Sequence, residues 1–530
     1  MADASDRWWK EGVLYQLYPR SFGDSDGDGI GDLRGVIDRL DHLAWLGIDG
    51  VWLNPITVSP DADWGYDVAD YCDVQPVLGA LADADELIAE AAGRGIKVLL
   101  DLVPNHTSDQ HPWFVDARSS RDAPHRDWYV WADPKPDGSP PNNWLSSFGG
   151  PAWTLDDNTG QYYLHNFLSA QPDLNWWNEE VRAEFDRILR FWFDRGVAGF
   201  RIDVVHAIVK DADLRDNPPT TDDDHWFERL RGQRQTFNAN RPEVHDVIRR
   251  WRALADSYDP PRILVGETHV FDVAALASFY GTGDELNLAF NFLMLHSPFD
   301  AAELRHVVEA SEEALPPGSW PVWTGGNHDV YRFPTRWCHN DPEKTRAAMM
   351  MVLTLHGSVF LYYGDEIGMP DTDIPRERIL DPVGVSYFPV YGRDPERTPM
   401  QWSAVPGAGF TSAGVEPWLP FGDASACNVH DQRRDPDSVL SLCRDLIGLR
   451  AAIPDLRAGA YSRVTAPDGV WAWRRGERVI VALNLSAAPA EVDAVNGLLR
   501  ISTRRTRDGE RVDGRLVLAP WEGAVVWLDA

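Results

Sequence analysis

The segment Gly199–Val204, GFRIDV, decides how the rest of the chain is read. Apolar Phe200 and Ile202 alternate with charged Arg201 and Asp203, which is the period of a short strand. Side chains two apart on a strand point to the same side, so Arg201 and Asp203 share a face. Two opposite charges in one interior are unusual. A guanidinium lowers the pKa of a neighbouring carboxylate and keeps it ionised. An ionised carboxylate fixed at a strand end is what a covalent nucleophile requires. The competing reading is a buried ion pair that only holds the strand in register.

Strand-like runs recur on both sides of this segment. They are 14–22, 50–55, 96–104, 199–204, 262–268, 285–292, 321–328 and 358–366. Amphipathic stretches lie between several of them, among them Leu33–Leu46, Asp83–Arg94 and Glu179–Arg195. Strands alternating with helices predict an α/β fold, a parallel (β/α)8 barrel of the TIM type, with chemistry at the C-terminal strand ends. Residues 1–104 and 177–454 are assigned to this barrel. Residues 105–176 are rich in Pro, Asn, Gly and Trp and too long for a loop, so they form an inserted subdomain after the third strand. Residues 370–432, after the eighth strand, are a second irregular insertion. From 455 to 530, short alternating runs with turn signals predict a C-terminal antiparallel β-sandwich.

The 530 residues are too many for a single core. A formal net charge of −32 argues against nucleic acid and anionic membranes as partners. No apolar run has the length of a transmembrane helix, and the first residues lack a signal-peptide core. Cys72, Cys338, Cys427 and Cys443 form no CxxC pair and read as free thiols of a cytoplasmic protein, monomeric or homodimeric. The acidic run Asp222–Asp224 reads as a solvated loop.

Chemistry-bearing residues sit at the predicted strand ends. DSDGDGIGD (24–32) alternates carboxylates with glycines, and hard oxygen ligands on a tight turn favour Ca²⁺. It is not a full EF-hand, because its twelfth position is Gly35 rather than Glu. Asp101, Asn105 and His106 end the third strand, Glu267 the fifth, and His328 and Asp329 the seventh. Glycoside cleavage with retention needs one ionised carboxylate and one carboxylic acid, and a third carboxylate can hold sugar hydroxyls.

With these residues in view, the chain resembles the α-amylase family of glycoside hydrolases (family 13) over essentially its full length. DLVPNH, GFRIDV, VGET and NHD carry the resemblance, in that order. QPDLN (171–175) and RTPMQW (397–402) are similar to the branch of oligo-1,6-glucosidases, α-glucosidases and trehalose synthases. The resemblance implies Asp203 as nucleophile, Glu267 as acid/base and Asp329 as transition-state stabiliser. It implies Arg201, His106 and His328 around the −1 sugar, with Asp63 and Tyr66 on the terminal glucose. Arg393 or Arg397 would pair with Asp63, and Phe148 and Phe167 would form an apolar wall. The implied calcium ligands are Asp24, Asp26, Asp28 and Asp32, with the carbonyl of Ile30.

Linkage preference stays open. Val204, after the nucleophile, accompanies α-1,6 cleavage in this branch, whereas DVVHAI and the insertion 210–242 look closer to α-1,4-acting glucosidases. The expected activity is a retaining exo-α-glucosidase on short maltose- or isomaltose-type substrates. A glucosyl-transferring or isomerising relative such as a trehalose synthase is the alternative. A non-catalytic binding relative is the third reading, opposed by the presence of all three carboxylates.

Overall fold

The computed structural model describes residues 7–387, 389–493 and 495–529. Eight parallel strands form its centre: β1 (Val13–Leu17), β2 (Gly50–Leu53), β3 (Lys97–Leu102), β4 (Gly199–Ile202), β5 (Ile263–Gly266), β6 (Leu288–Ala289), β7 (Val322–Thr324) and β8 (Ser358–Tyr362). Hydrogen-bonded neighbours run in chain order from β1 to β6, and β1 also pairs with β8 and β8 with β7. A parallel bridge from Phe290 to Val322 joins the β6 and β7 ends, closing the barrel.

Alternation along each strand sorts the barrel interior into layers. Leu14, Trp52, Leu99, Val265, Leu288, Val322 and Phe360 pack into one buried apolar cluster. Two residues further on, toward the C-terminal ends, the same faces carry Gln16, Asn54, Asp101 and Glu267, all buried. The Arg201 guanidinium lies 4.9 Å from the Trp52 ring centroid, at the boundary between the layers. At Gly199 a Cβ would fall 2.3 Å from the Ile263 carbonyl oxygen, so β4 and β5 approach as only glycine allows.

The strands are shorter than the apolar runs in the sequence, because their last polar residues leave the ladder to form the rim. The stretch predicted as one helix over Leu33–Leu46 is two, Leu33–Ile37 and Leu40–Leu46, with a break at Asp38 and Arg39. Glu179–Asp194 is a helix capped by the Asn178 side chain on Glu180 N, and it buries Val181, Phe185, Ile188, Leu189, Trp192 and Phe193.

Within 105–176, three short antiparallel strands (Trp131–Ala132, Gln161–Leu164, Trp153–Asp156) surround a small core of Trp144, Ala152, Trp153 and Leu164. Residues 370–432 are mostly irregular and contain a short helix, Pro382–Tyr387. Beyond 458 lies a six-stranded antiparallel sheet faced by a two-stranded one (Ala490–Asp493 with Arg515–Leu518). Val470, Ile480, Val492, Leu499, Leu516 and Val526 fill the space between these sheets. The second layer of the predicted sandwich is thus only a hairpin-sized ladder. Trp471, Trp473, Val481 and Val525, on the other face, join the core of the barrel helices. No helix among the described residues is long and apolar enough to cross a membrane.

Candidate active site

A cavity of about 330 Å³ opens at the C-terminal ends of the strands. Asp63, Tyr66, His106, Phe148, Phe167, Asp203, Val204, Glu267, Asp329 and Arg393 all line it. Arg201, His328 and Arg397 lie behind this wall, at 2%, 1% and 0% exposure.

Arg201 is the hub. Its Nη1 donates to Asp203 Oδ1 at 2.8 Å and to Asp101 Oδ1 at 2.8 Å, and its Nη2 donates to Glu267 Oε2 at 2.5 Å. One guanidinium therefore spans the carboxylates that end β4 and β5 and anchors both from below.

Burial pushes the Asp203 carboxyl well above its usual range, and repulsion from Glu267 and Asp101 adds to this; the pull of Arg201 does not cancel it. Asp101 is likewise raised to about 6 by burial against Arg201. Desolvation and mutual repulsion therefore raise Asp203 and Asp101 although both share the Arg201 cation. A carboxyl pair of which one member is ionised and the other protonated is what general acid catalysis with a carboxylate nucleophile needs.

Asp329 lies in the opposite field. Arg397 Nη2 donates to its Oδ1 at 2.8 Å and Arg393 Nη1 at 3.2 Å. Burial pushes Asp329 up, but the surrounding cations outweigh it and hold the carboxyl well below the usual range. Burial also holds His328 well below its ordinary pKa, which favours the neutral ring. The Gln16 side-chain amide donates to His328 Nδ1 at 2.8 Å, which leaves the ring proton on Nε2, facing the Tyr66 hydroxyl oxygen at 2.6 Å.

The arginine left open by the sequence is Arg393. Its Nη2 donates to Asp63 Oδ1 at 2.6 Å and to Asp381 Oδ1 at 2.7 Å. Arg397 instead donates Nε to the His328 carbonyl at 2.7 Å and joins Asp329. Arg393 also lies 5.0 Å from the Phe148 ring, which packs edge-on to Phe167 at 5.4 Å. Tyr66 stacks on His328 at 5.3 Å with 7° between the planes, and its hydroxyl donates to Asp101 Oδ2 at 2.8 Å. His106 Nε2 is 2.9 Å from the Tyr66 carbonyl and 3.1 Å from Gln171 Nε2, which also reaches Asp63 Oδ2 at 3.1 Å.

Sequence reasoning missed three supporting groups. Asp381, fully buried, receives Arg393 Nε, Nη2 and N. Gln171, the first residue of QPDLN, ties His106 to Asp63. Lys210 buries its ammonium against Asp173 Oδ2 at 2.9 Å and Asn105 Oδ1 at 2.6 Å, pinning the inserted segment beneath the pocket. Asp173 and Asn105 lie inside quoted motifs, so those two signals were present; Asp381 stands in an irregular segment with no pattern.

The carboxylate-rich turn lies away from the cavity. Asp24, Asp26 and Asp28 each bring a ligand atom within 4.8 Å of the others. Burial and the repulsion of Asp26, Asp24 and Asp32 raise the Asp28 carboxyl, a cost that a cation would relieve. An all-oxygen set on a glycine-rich turn fits Ca²⁺. Asp32 stands outside this trio. Its oxygens accept from Ser25 N, Ser25 Oγ and Gly35 N, so it caps the helix Leu33–Ile37.

The family model of the alpha amylase catalytic domain matches residues 16–459. The chain belongs to the alpha-amylase family. Within that family it is 41% identical over 503 residues to a probable alpha-glucosidase of Rhizobium meliloti (strain 1021), covering 90% of this chain and 89% of the relative. It is 37% identical over 569 residues to an oligo-1,6-glucosidase of Heyndrickxia coagulans, covering 98% and 99%. Among solved structures, an alpha-glucosyl transfer enzyme, XgtA, superposes with a TM-score of 0.92 at 40% identity, covering 99% of this chain and 100% of that one. This alpha-amylase family chain therefore carries its strand-end carboxylates in a frame shared with glucoside-cleaving and glucosyl-transferring proteins.

Proposed function

We propose that this protein is a retaining, exo-acting α-glucosidase. It releases glucose from the non-reducing end of short α-glucosides through a covalent glucosyl-enzyme. The observation that carries this reading is the Arg201 bridge between Asp203 and Glu267. Carboxyls held by one guanidinium lie close together, which suits direct attack rather than activation of an intervening water. Asp203 attacks C1 while Glu267 gives its proton to the departing oxygen. Water then releases glucose, with Glu267 taking the proton back. Asp329, fixed as an anion between Arg393 and Arg397, binds sugar hydroxyls and offsets positive charge developing at the ring.

Asp63 with Arg393 closes the far end of the pocket and receives the terminal glucose, which fits removal of one residue at a time. Tyr66, His106 and His328 surround the same sugar, with Phe148 and Phe167 as its apolar wall. Asp24, Asp26, Asp28 and Asp32, with the Ile30 carbonyl, would hold Ca²⁺, whose contribution is stability. Small glycosides are the substrates, and the four free thiols suit a reducing cytoplasm.

The test is activity on maltose, isomaltose, sucrose and trehalose side by side. Release of glucose from maltose or isomaltose supports the reading, and activity on none of the four contradicts it. A glucosyl-transferring activity is the second reading, favoured by the 40% identity to XgtA. Products longer than the substrate, or isomerised disaccharides, would favour it over hydrolysis.

A further inference from the structure

The turn that follows Asp203 is strained. Val204 has φ 33° and ψ 43°, a left-handed backbone. Among the described non-glycine residues with positive φ, Val204 is the one that is β-branched. Such a conformation is a genuine outlier for a β-branched side chain, and outliers of this kind persist where the surroundings hold them. Here Ala207, Ala239 and Phe167 pack around the valine side chain, which is 8% exposed.

The strained turn has a visible product. It points the Val204 N–H at Glu267 Oε2, 3.0 Å away. Arg201 Nη2 donates to the same oxygen at 2.5 Å. Two donors thus converge on Oε2. The next residues, Val205–Ala207, form a 3-10 turn that places His206 Nδ1 3.2 Å from the Glu267 carbonyl. The end of β4 therefore supplies Asp203 and fixes the carboxyl that ends β5.

We propose that Val204 is a positioning residue for the acid/base, acting through its backbone: the strained amide decides which oxygen of Glu267 carries the proton. An oxygen that already accepts two N–H bonds cannot also hold a proton without losing one of them, so the proton resides on Oε1. When the C1–O bond breaks, its electron pair stays on the leaving oxygen and the Oε1 proton passes to that oxygen. An Asp203 oxygen forms the new bond to C1. Glu267 is left as a carboxylate still held by two donors at Oε2. This inference rests on the glucosidase reading above.

The test replaces Val204 with its α-hydroxy acid analogue, so that the peptide N–H becomes an ester oxygen and the side chain is kept. The readout is kcat/KM on maltose, whose leaving group needs the proton, against 4-nitrophenyl α-glucoside, whose leaving group scarcely does. Loss of a hydrogen bond to a charged group predicts a fall of about tenfold to a hundredfold on maltose. The nitrophenyl substrate should fall by about threefold or less, because proton transfer contributes little to that step. Equal loss on both substrates, or no loss on either, overturns the proposal.

Val204→Gly and Val204→Ala give a second measurement that needs no ester. Both variants remove the same piece of pocket wall, so they are compared with each other: glycine takes positive φ without penalty and keeps the N–H, so its maltose-to-nitrophenyl ratio should exceed that of alanine. Alanine has the left-handed penalty without valine's packing, so it relaxes and its ratio falls. Identical ratios in the two variants overturn the proposal. A wild-type protein inactive on both substrates would overturn the glucosidase reading itself.

Discussion

Arg393 and Asp63 meet at 2.6 Å across the far end of the pocket, and both are buried. An internal residue of a long glucan would have to displace this pair and leave its charges unsatisfied. Early products from maltoheptaose should therefore be glucose and maltohexaose. Maltotriose and maltotetraose as first products would mean an open cleft. Arg393→Gln should lower kcat/KM on maltose by about a hundredfold or more, because it strands buried Asp63 and Asp381 without their cation.

The trio Asp24, Asp26 and Asp28 predicts a stability effect separate from chemistry. A cation bound to the folded chain adds its binding free energy to stability. Exhaustive chelation should lower Tm by several degrees, with calcium restoring it, and Asp26→Ala should remove the calcium response. An unchanged Tm on chelation would show that no bound cation contributes to stability.

Lys210 and Asp173 are buried at 3% and 0% exposure and lie 2.9 Å apart. Removing either charge alone leaves the other desolvated and unpaired. Lys210→Met should therefore cost about 3–5 kcal/mol of folding stability. The double variant Lys210→Met with Asp173→Asn should be more stable than Lys210→Met alone, by urea unfolding. Additive losses would show that the pair is not the source of the effect.

Burial raises Asp365 to about 7, although its Oδ2 accepts the Tyr362 N–H. The folded chain then binds this proton more tightly than the unfolded chain does. The contribution of Asp365 to stability is fully present below the unfolded carboxylate pKa of about 4 and is lost as pH rises through about 7. Asp365→Asn cannot lose a proton, so the wild type should weaken relative to this variant by about 2 kcal/mol or more between pH 4 and pH 8. An equal stability difference at both pH values would contradict the shift.

The barrel and its carboxylates were legible because periodicity places them. GFRIDV, VGET and NHD each end a strand, and the barrel brings strand ends together whatever the loops do. The 393–397 segment was legible only as far as its composition, because an irregular chain gives no period to say which arginine turns inward. Arg393 faces Asp63 because Asp381 orients its guanidinium, and Asp381 carries no motif. The resemblance implies Asp32 as a cation ligand, and the structure adds a second role that spacing could not show, because its side chain also caps the helix that begins at the next residue. The pKa of Asp203 could not be read from Arg201 alone, because its direction depends on burial and on Glu267 and Asp101, which only the closed barrel assembles.

The central claim is that Asp203 forms a covalent bond to glucose. Incubation with 5-fluoro-α-glucosyl fluoride slows breakdown of a glycosyl-enzyme, and peptide mass spectrometry then locates the sugar. The account predicts one fluoroglucosyl group per chain, on the peptide that contains Gly199–Val204, and none on the Asp203→Ala variant. A label on another residue, or turnover of the fluoride with no adduct and initial release of β-glucose from an α-glucoside, would contradict it.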